Sequence, residues 1–397
     1  APPGTVYCLH HPRLPFISYP WEWPFSILKD AALLHLDIME SIIPKGFWLR
    51  DASAFNVQYD GKGLRLIDTL SIGRRVPDSP WVAYGQFCSH FLAPLALAAY
   101  GDIRTLSLWR AYIDGYPLDL VRRLIPVWKL FKPGLFMHLF LHARFQKAAD
   151  RKENIGQSSR TKKPKLNDDG LIALIRSLRM TISGIKWKRK SAIWESYGDI
   201  RTYDREDLNR KAQYVKGVLE QVKPAVIWDL GANTGEFSEI VASQGGFVVS
   251  IDSDHACMEA LYVKTAVTHK KNILPLVMDL ANPSPGLGWD CRERLSLKDR
   301  GPAELILALA LVHHLVLSSY VPLGMIARWF SSLAEHVLVE FIPREDPMVQ
   351  KLLRNRVDNY LPYDENAFRS AFEQEFQFVN SETLGNGRTL FSFRRRK

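Results

Sequence analysis

The sequence predicts an α/β fold with a mostly parallel sheet, a C-terminal antiparallel hairpin and a mainly helical N-terminal domain. In the C-terminal half, short apolar runs alternate with segments of helical periodicity. Strands that are apolar throughout are typical of a parallel sheet covered by helices on both faces. The five expected parallel strands are Ala225–Leu230, Phe247–Asp252, Ile273–Leu280, Leu305–Val312 and His336–Phe341.

Two further features support this order of elements. Near the C-terminus, Gly385-Asn386-Gly387 separates two alternating runs, Gln377–Leu384 and Arg388–Arg394, which is a pattern typical of a β-hairpin. Before the first strand, a helix is predicted with Asp204 as its N-cap and Pro224 after its end. The predicted helices of this half are Arg205–Gln221, Glu236–Ser243, His255–Val267 and Val321–Leu333.

The basic charge of the chain is concentrated in one segment. The 397 residues include 52 Lys and Arg against 42 Asp and Glu, a net charge of +10. Residues 144–190 hold 14 basic and 4 acidic side chains, a net charge of +10 within 47 residues. We therefore predict a mainly helical N-terminal domain at 1–145, a basic linker and connecting helix at 146–195, and an α/β domain at 196–397.

Composition excludes several classes of protein. The four cysteines lie far apart, so a disulfide framework or a cysteine zinc site is not expected, and no metal site is predicted. The longest apolar run, Leu305–Val312, is too short to span a membrane. The scattered cysteines favour a reducing compartment, and we expect a cytoplasmic protein. Because the chain starts at Ala1 without Met or a signal peptide, we expect it to be a fragment.

The most specific motif is AVIWDLGANTGEFS, residues 225–238. A buried strand leads into Asp229, a tight turn follows with Gly231 and Gly235, and a helix begins after the turn. Glycine has no Cβ, so backbone can approach a ligand closely at this edge of the sheet. The helix N-terminus adds free N–H groups and the positive end of its dipole.

Acidic residues are predicted at the tips of the next two strands. Asp252 follows the glycine turn by about 20 residues, where a carboxylate can bind ribose hydroxyls. Asp279 ends the third strand, where an acceptor can take an adenine amino group. The dinucleotide motif G-x-G-x-x-G is not met, because its second and third glycines would fall on Asn233 and Glu236. Acidic strand tips suit an adenosine ligand that carries a positive charge better than a pyrophosphate.

On these residues, the sequence resembles class I S-adenosylmethionine-dependent methyltransferases over roughly residues 195–397. The resemblance implies a Rossmann-like seven-stranded sheet with a terminal antiparallel pair, and S-adenosyl-L-methionine as the cofactor. It implies that the turn with Asp229, Gly231, Asn233 and Gly235 holds the methionine part of the cofactor. It also implies that Asp252 binds the ribose diol and that Asp279 contacts adenine.

Two histidines are the candidate catalytic residues. The predicted fourth strand ends in Ala310-Leu311-Val312-His313-His314, at the position that borders the methyl group in class I enzymes. Either His313 or His314 can act as a base, since imidazole titrates near neutral pH; the alternative is that both only shape the pocket. Glu340, at the fifth strand tip, is expected to be a solvated acid more than a base. His138 and His142 stand four apart on an apolar helix and are expected to pack.

In the N-terminal half, Asp51, Asn56 and Asp68 resemble the catalytic loop and metal-binding Asp of the protein kinase and aminoglycoside phosphotransferase fold. A glycine-rich loop, a strand lysine and the residues His-Arg before Asp51 are absent from the sequence. We therefore favour a degenerate kinase-like lobe that docks substrate or partner. The combined arrangement also resembles a bacterial group of large methyltransferases related to nodulation proteins.

Three hypotheses for function follow from the sequence. The first is methyl transfer to a hydroxyl of a small molecule or glycan-type metabolite. The second is an RNA methyltransferase whose segment 144–190 contacts phosphates, as a basic segment can. The third is a cofactor-binding scaffold without catalysis.

Overall fold

The computed structural model describes residues 10–141, 166–188, 204–270, 272–354 and 362–396. Four short strands belong to the N-terminal region, and seven strands form one sheet in the C-terminal half. The short strands are β1 (Phe47–Leu49), β2 (Val57–Tyr59), β3 (Leu64–Leu66) and β4 (Ile72–Arg74). The sheet strands are β5 (Val226–Leu230), β6 (Phe247–Asp252), β7 (Ile273–Val277), β8 (Ala303–Ala308), β9 (Ala334–Phe341), β10 (Phe376–Thr383) and β11 (Thr389–Arg395).

The strand order of the sheet is β10-β11-β9-β8-β5-β6-β7. The five strands from β5 to β9 are parallel, while β11 lies antiparallel to both β9 and β10. The predicted mostly parallel sheet with a C-terminal hairpin is therefore confirmed. Two strands end earlier than predicted: β7 ends at Val277 and β8 at Ala308. At the end of β8 the cause is Ala310, whose left-handed backbone (φ +56°) turns the chain out of the sheet.

The helices connect these strands. The predicted N-cap is confirmed: the Asp204 side chain accepts a hydrogen bond from the Asp207 N–H at 2.7 Å. The α-helices of the described residues are α1 (Phe25–Ile42), α2 (Tyr84–Phe87), α3 (Ala93–Tyr100), α4 (Leu118–Leu124), α5 (Val127–Leu130), α6 (Pro133–Leu135), α7 (Asp168–Gly184), α8 (Arg205–Val222), α9 (Glu236–Ser243), α10 (His255–Val267), α11 (Val312–Leu317), α12 (Leu323–Leu333), α13 (Pro347–Leu353) and α14 (Glu365–Glu375). Short 3-10 turns lie at Pro20–Glu22, Ile43–Lys45, Ala54–Asn56, Thr69–Ser71, Ile103–Arg110, Trp289–Cys291 and Lys298–Arg300, and π-helical segments at Cys88–Leu92 and Phe136–Leu141.

Helices cover the two faces of the sheet. On one face, α8, α9 and α10 bury apolar side chains in one cluster with β5, β6 and β8. On the other face, α12 and α14 pack through phenylalanines, including Phe330, Phe368 and Phe372, against Phe391 and Phe393 of β11. Each buried phenylalanine contributes about 2–3 kcal/mol of transfer free energy. This packing explains why the strands are apolar on both sides.

The N-terminal region covers the rest of the second face. The connection from β7 to β8, residues 278–302, is described throughout and contains two 3-10 turns but no α-helix. N-terminal residues fill the space over β5, β6 and β7 instead, and the Phe16 ring meets the Trp228 ring edge-on at 5.5 Å. A single apolar cluster joins the N-terminal region to this part of the sheet. The sheet therefore depends on residues from the N-terminal region to bury its second face.

A buried ion pair lies at this junction. The Arg300 guanidinium donates to both carboxylate oxygens of Glu22 at 2.7 and 2.8 Å, and the two side chains are 1% and 0% exposed. The guanidinium also lies over the rings of Phe16 and Tyr19, at 4.8 and 4.9 Å from their centroids. A bidentate geometry of this kind satisfies two charges that water cannot reach.

Further polar contacts join the two regions around this pair. The Trp21 indole N–H donates to Ser284 Oγ at 3.1 Å, and the Leu295 N–H donates to the Tyr19 hydroxyl at 2.6 Å. The Tyr262 hydroxyl donates to Asp30 at 2.8 Å, which links α10 to α1. The loop after β7 is therefore held mainly by side chains that come from the N-terminal region.

Part of the predicted linker is an ordered helix. Within the predicted segment 146–195, α7 packs against α1, and its Arg176 and Arg179 pair with Glu40 of α1. Most of the basic residues of this segment lie outside the described residues. The arginines of α7 thus already have acidic partners within the chain. The predicted domain limits stay a prediction.

We predict that Glu22→Gln lowers the free energy of unfolding by about 3–5 kcal/mol, because it leaves the Arg300 charge buried without its counter-charge. Urea unfolding followed by tryptophan fluorescence measures this loss. The control is Arg123→Ala, which removes an exposed pair with Asp119 and is expected to cost less than about 1 kcal/mol. A loss below 1 kcal/mol for Glu22→Gln would contradict the importance of the pair.

Candidate functional site

The glycine turn lies between β5 and α9, at the carboxyl edge of the sheet. Gly231 and Gly235 have left-handed backbones, with φ of +79° and +81°. The N–H groups of Gly231 and Ala232 both donate to the Ile251 carbonyl, which ties the turn to β6. A Cβ on Gly235 would lie 2.4 Å from a methyl carbon of Leu261. Only glycine therefore fits at this second position of the predicted motif.

Asp229 lies beneath this turn and not at its surface. Its side chain is 2% exposed and accepts a hydrogen bond from the Ser238 hydroxyl at 2.5 Å. The Ser250 hydroxyl in turn donates to Ser238 Oγ at 2.8 Å. Burial raises the pKa of Asp229 to about 6. These contacts fix the start of α9 to β5 and β6, so Asp229 holds the turn in shape from below.

Asp252 lies beside the turn, at the tip of β6. Its carboxylate accepts hydrogen bonds from the N–H groups of Asn233 and Asp254, both at 2.9 Å. Burial raises the pKa of Asp252 from its usual range. The structure thus brings the second-strand acid and the glycine turn into direct contact, as the motif predicts.

Asp279 follows β7 and is exposed. Its side chain accepts a hydrogen bond from the Ala281 N–H at 2.9 Å, which bends the chain after the strand. It shares the carboxyl edge of the sheet with Asp252, because β6 and β7 are neighbouring parallel strands.

An arginine from the N-terminal region comes close to Asp279. Arg110 is half-buried, and its guanidinium donates to Ser284 Oγ at 3.4 Å. Burial lowers the pKa of Arg110, and the nearby carboxylates of Glu22 and Asp279 oppose that shift. Sequence reasoning missed this residue, because nothing in a local pattern links residue 110 to the third strand of a distant sheet.

His313 and His314 lie in the first turn of α11. The expectation that they end the fourth parallel strand is therefore wrong. The left-handed Ala310 ends the strand early, and α11 begins at Val312. Leu311, which precedes this helix, packs against Gly231: a Cβ there would lie 3.4 Å from the Leu311 side chain. The two histidines are therefore still next to the glycine turn. Their ring centroids are 4.1 Å apart.

His313 is buried, with 4% exposure, and its Nδ1 atom has no hydrogen-bond partner among the described residues. Burial lowers the pKa of His313 well below its usual range of about 6.5, and the neighbouring His314, Arg388 and Lys211 lower it further. The imidazole is therefore neutral at pH 7. His314 is half-buried.

Two buried ion pairs lie next to the histidines. Lys211 Nζ is 2.8 Å from Glu340 Oε2, and Arg388 Nε is 2.9 Å from Asp346 Oδ2. The side chains of both pairs are at most 4% exposed. The expectation that Glu340 is a solvated acid is wrong, because α8 covers the tip of β9 and brings Lys211 over it.

A third buried acid fixes the hairpin at this end of the site. Asp207 of α8 accepts hydrogen bonds from the N–H groups of Gly385 and Asn386, at 2.7 and 3.1 Å. The turn between β10 and β11 is thereby tied to the same helix that supplies Lys211. The sequence predicts both this turn and α8 correctly, but it contains no sign that the helix holds the turn.

The kinase-like residues take part in local hydrogen bonds. The Asp51 carboxylate accepts from the Ser53 N–H at 2.9 Å and from Gln86 Nε2 at 2.7 Å, while Asp68 accepts from the Leu70 N–H at 3.0 Å. The predicted hairpin near Asp60–Gly63 is present as β2 and β3. Asn56 Nδ2 is buried and has no hydrogen-bond partner in the described part of the chain.

The remaining expectations concern metals and membranes. His138 packs in the core and contacts the Tyr84 hydroxyl at 2.7 Å and Ser177 Oγ at 3.0 Å, while His142 lies outside the described residues. Among the described residues, no group of three or more His, Cys, Asp or Glu side chains could hold a metal ion. Every helix within the described ranges is too short or too polar to cross a membrane.

The strand order and the ordered motifs define a class I S-adenosylmethionine-dependent methyltransferase. The glycine turn follows the first strand, and acids follow the second and third strands. Over nearly its whole length, the chain belongs to the family of a bacterial nodulation protein. Nodulation protein NoeA of Rhizobium meliloti (strain 1021) is 38% identical over 392 residues, which cover 98% of this chain and 82% of NoeA. The predicted resemblance to nodulation-related methyltransferases is confirmed.

Other comparisons cover about half of the chain, and no protein-family model matches it. N-methyltransferase NodS from Bradyrhizobium japonicum WM9 superposes on 49% of this chain and 99% of its own, with a TM-score of 0.36 and 12% identity. Magnesium protoporphyrin IX methyltransferase (ChlM) from Synechocystis PCC 6803, with bound SAH, covers 47% of this chain and 83% of its own, with a TM-score of 0.34 and 17% identity. The bifunctional kinase-methyltransferase WbdD superposes on 49% of this chain and 40% of its own, with a TM-score of 0.35 and 15% identity.

We predict that Gly235→Ala destabilises the protein by about 2–4 kcal/mol, because the added Cβ meets Leu261 and the left-handed backbone disfavours a side chain. Thermal and urea unfolding measure the change. The matched control is Gly217→Ala in α8, where a Cβ has open space. This substitution is expected to stabilise the helix by about 0.5–1 kcal/mol. Equal effects of the two substitutions would contradict a special role of the turn.

Proposed function

We propose that the chain transfers the methyl group of S-adenosylmethionine to a hydroxyl of a small molecule or glycan-type metabolite. The observation that carries this proposal is the position of His313, a neutral and buried imidazole next to the glycine turn.

The cofactor-binding half of the site consists of the turn and the strand tips. The backbone of Gly231, Asn233 and Gly235 would surround the methionine part, and Asp252 would accept the ribose hydroxyls while Asp279 lies at the adenine end. Asp229 would act indirectly, since its carboxylate is used by Ser238. The first turn of α9 carries Glu236, whose negative charge suits a cationic ligand and disfavours a pyrophosphate. The residues present therefore fit a positively charged adenosine ligand.

A neutral imidazole is suited to remove a hydroxyl proton during methyl transfer. The bound cofactor supplies an electrophilic methyl group on a sulfonium, and the protein mainly positions the acceptor oxygen in line with it. His313 Nδ1 lacks a partner in the described structure, so it can accept the proton that the hydroxyl loses. Burial keeps this imidazole neutral, and the nearby charges of Arg388 and Lys211 lower its pKa further, because another positive charge beside them is unfavourable. His314 would form the accessible wall of the acceptor pocket.

The acceptor end of the site favours a polar, uncharged substrate. Lys211 and Arg388 are each paired with an acid, so neither offers a full charge to an anionic or cationic acceptor. Backbone groups and paired side chains near the strand tips can still donate and accept hydrogen bonds, as hydroxylated acceptors require. An RNA substrate receives less support, since the described arginines of the basic segment pair with acids of α1.

We predict that Asp252→Ala raises the Kd for S-adenosylhomocysteine about 10- to 100-fold, because the ribose diol loses its charged acceptor. Isothermal titration calorimetry measures the change. The control is Asp290→Ala, which removes an exposed acid that pairs with exposed Arg292 and is expected to leave the Kd unchanged. If the wild-type chain does not bind S-adenosylhomocysteine, the cofactor assignment fails; if only Asp252→Ala has no effect, the role of Asp252 fails.

We predict that His313→Asn lowers methyl transfer at least 100-fold while the Kd for S-adenosylhomocysteine stays within about twofold. The assay incubates cell extracts with isotope-labelled cofactor and follows labelled products by mass spectrometry, which also identifies the methylated atom. Because the pKa of His313 is lowered, the rate is expected to stay constant as pH falls from 8 to about 6.5 and to decline only in more acidic buffer. A product methylated on nitrogen or carbon, or an unchanged rate for His313→Asn, would contradict the proposal.

A further inference from the structure

The segment from α4 to the π-helical residues after α6 places large apolar side chains on the outer surface of the N-terminal region. Trp128 and Phe131 are 72% and 70% exposed, and Val127 is 64% exposed. We refer to these three residues, together with Leu124 and Met137, as the Trp128 surface. Isolated exposed apolar residues are common, but here five lie within 14 residues of the chain, a concentration that suits an interaction site.

The chain is anchored in the core on either side of these exposed residues. Leu118, Val121, Ile125, Leu135 and Leu139 of this segment are buried. Pro117 and Pro126 are the N-caps of α4 and α5, so short helices follow one another along the surface. The Trp128 surface thus lies on an exposed stretch of chain between two buried anchors.

Basic residues alternate in sequence with the apolar residues of the Trp128 surface. From Leu118 to Leu141 the chain contains Arg122, Arg123, Lys129 and Lys132 and a single acid, Asp119. Lys132 Nζ lies 3.1 Å from the Tyr100 hydroxyl and 4.7 Å from the centre of its ring, and Lys129 Nζ lies 5.8 Å from the same ring centre. In the sequence, the next 24 residues add eight basic and two acidic side chains. The region therefore attracts a negatively charged partner.

The composition of the patch distinguishes between partners. The core of a protein interface is depleted of lysine, whereas here Lys129 and Lys132 alternate with exposed Trp128 and Phe131. Nucleic-acid surfaces use aromatic rings for stacking, but the aliphatic Leu124, Val127 and Met137 give no stacking surface for bases. Aromatic and aliphatic side chains flanked by lysines are the composition of helices that lie in the interface of an anionic membrane.

We propose that the Trp128 surface binds the face of a lipid bilayer that contains anionic headgroups. The apolar side chains would enter the boundary between headgroups and acyl chains, while Lys129, Lys132 and Arg123 would contact headgroup phosphates. Binding of this kind is peripheral and needs no membrane-spanning helix. It concerns a surface separate from the proposed catalytic site, so it holds or fails independently of the methyl acceptor.

The test is co-sedimentation of the full chain with vesicles. We expect binding to phosphatidylcholine vesicles that contain 30% phosphatidylglycerol, and at least tenfold weaker binding to phosphatidylcholine alone or at 0.5 M salt. The double variant Trp128→Ala/Phe131→Ala and the double variant Lys129→Ala/Lys132→Ala are each expected to lose at least tenfold in partitioning. The matched control is Trp289→Ala, which removes an 86% exposed tryptophan outside the patch and is expected to bind as the wild type does.

Several results would overturn the proposal. The first is that the chain binds neutral and anionic vesicles equally well. The second is that neither double variant weakens vesicle binding. The third is that Trp289→Ala weakens vesicle binding as much as the double variants do. Binding of single-stranded RNA without vesicle binding at the same salt would assign the surface to nucleic acid. Self-association that Trp128→Ala/Phe131→Ala abolishes, without vesicle binding, would assign it to a second copy of the chain. Unchanged thermal unfolding and S-adenosylhomocysteine binding show that the variants are folded.

Discussion

The buried pair of Glu22 and Arg300 is the interaction on which the junction between the two halves of the protein depends. A guanidinium and a carboxylate that are removed from water need good geometry and further partners. Here the rings of Phe16 and Tyr19 lie against the Arg300 guanidinium, and the Tyr19 N–H donates to the Glu22 carboxylate. The pair stands where the β7–β8 connection supplies no α-helix of its own. The N-terminal region thus takes the place of a missing helix layer, and the methyltransferase sheet cannot bury its second face without it.

This arrangement makes the N-terminal region part of the site as well as of the core. The loop after Asp279 is held by Tyr19, Trp21 and Arg110, so the adenine end of the proposed cofactor pocket is shaped by residues far away in sequence. The similarity to NoeA extends over 98% of the chain, and it therefore includes the N-terminal region together with the sheet. A shared core gives a physical reason for the two parts to occur together.

The two ends of the carboxyl edge of the sheet differ in their charged groups. At the proposed cofactor end, Asp252 lies beside the glycine turn, and Asp279 follows the neighbouring strand. At the proposed acceptor end, every buried charge described near His313 has a partner, and burial keeps the imidazole neutral. This distribution of charge suits the two ligands that we propose, a cationic cofactor and an uncharged acceptor. The basic and aromatic surface near Trp128 lies on α4 to α6 of the N-terminal region and can serve a separate partner.

By itself, the sequence determined the features that depend on local pattern: the seven strands, the Asp204 cap, the glycine turn with Asp252 and the terminal hairpin. Apolar periodicity, capping and glycine conformations act over a few residues, so they can be read along the chain. Only the tertiary structure decided that Asp229 lies beneath the turn, that His313 lies in the first turn of a helix, and that Glu340 is buried against Lys211. The partners in these contacts are far apart, 129 residues for Lys211 and Glu340 and 278 for Glu22 and Arg300. Contacts at such separations follow from how the layers pack, and no local pattern encodes them.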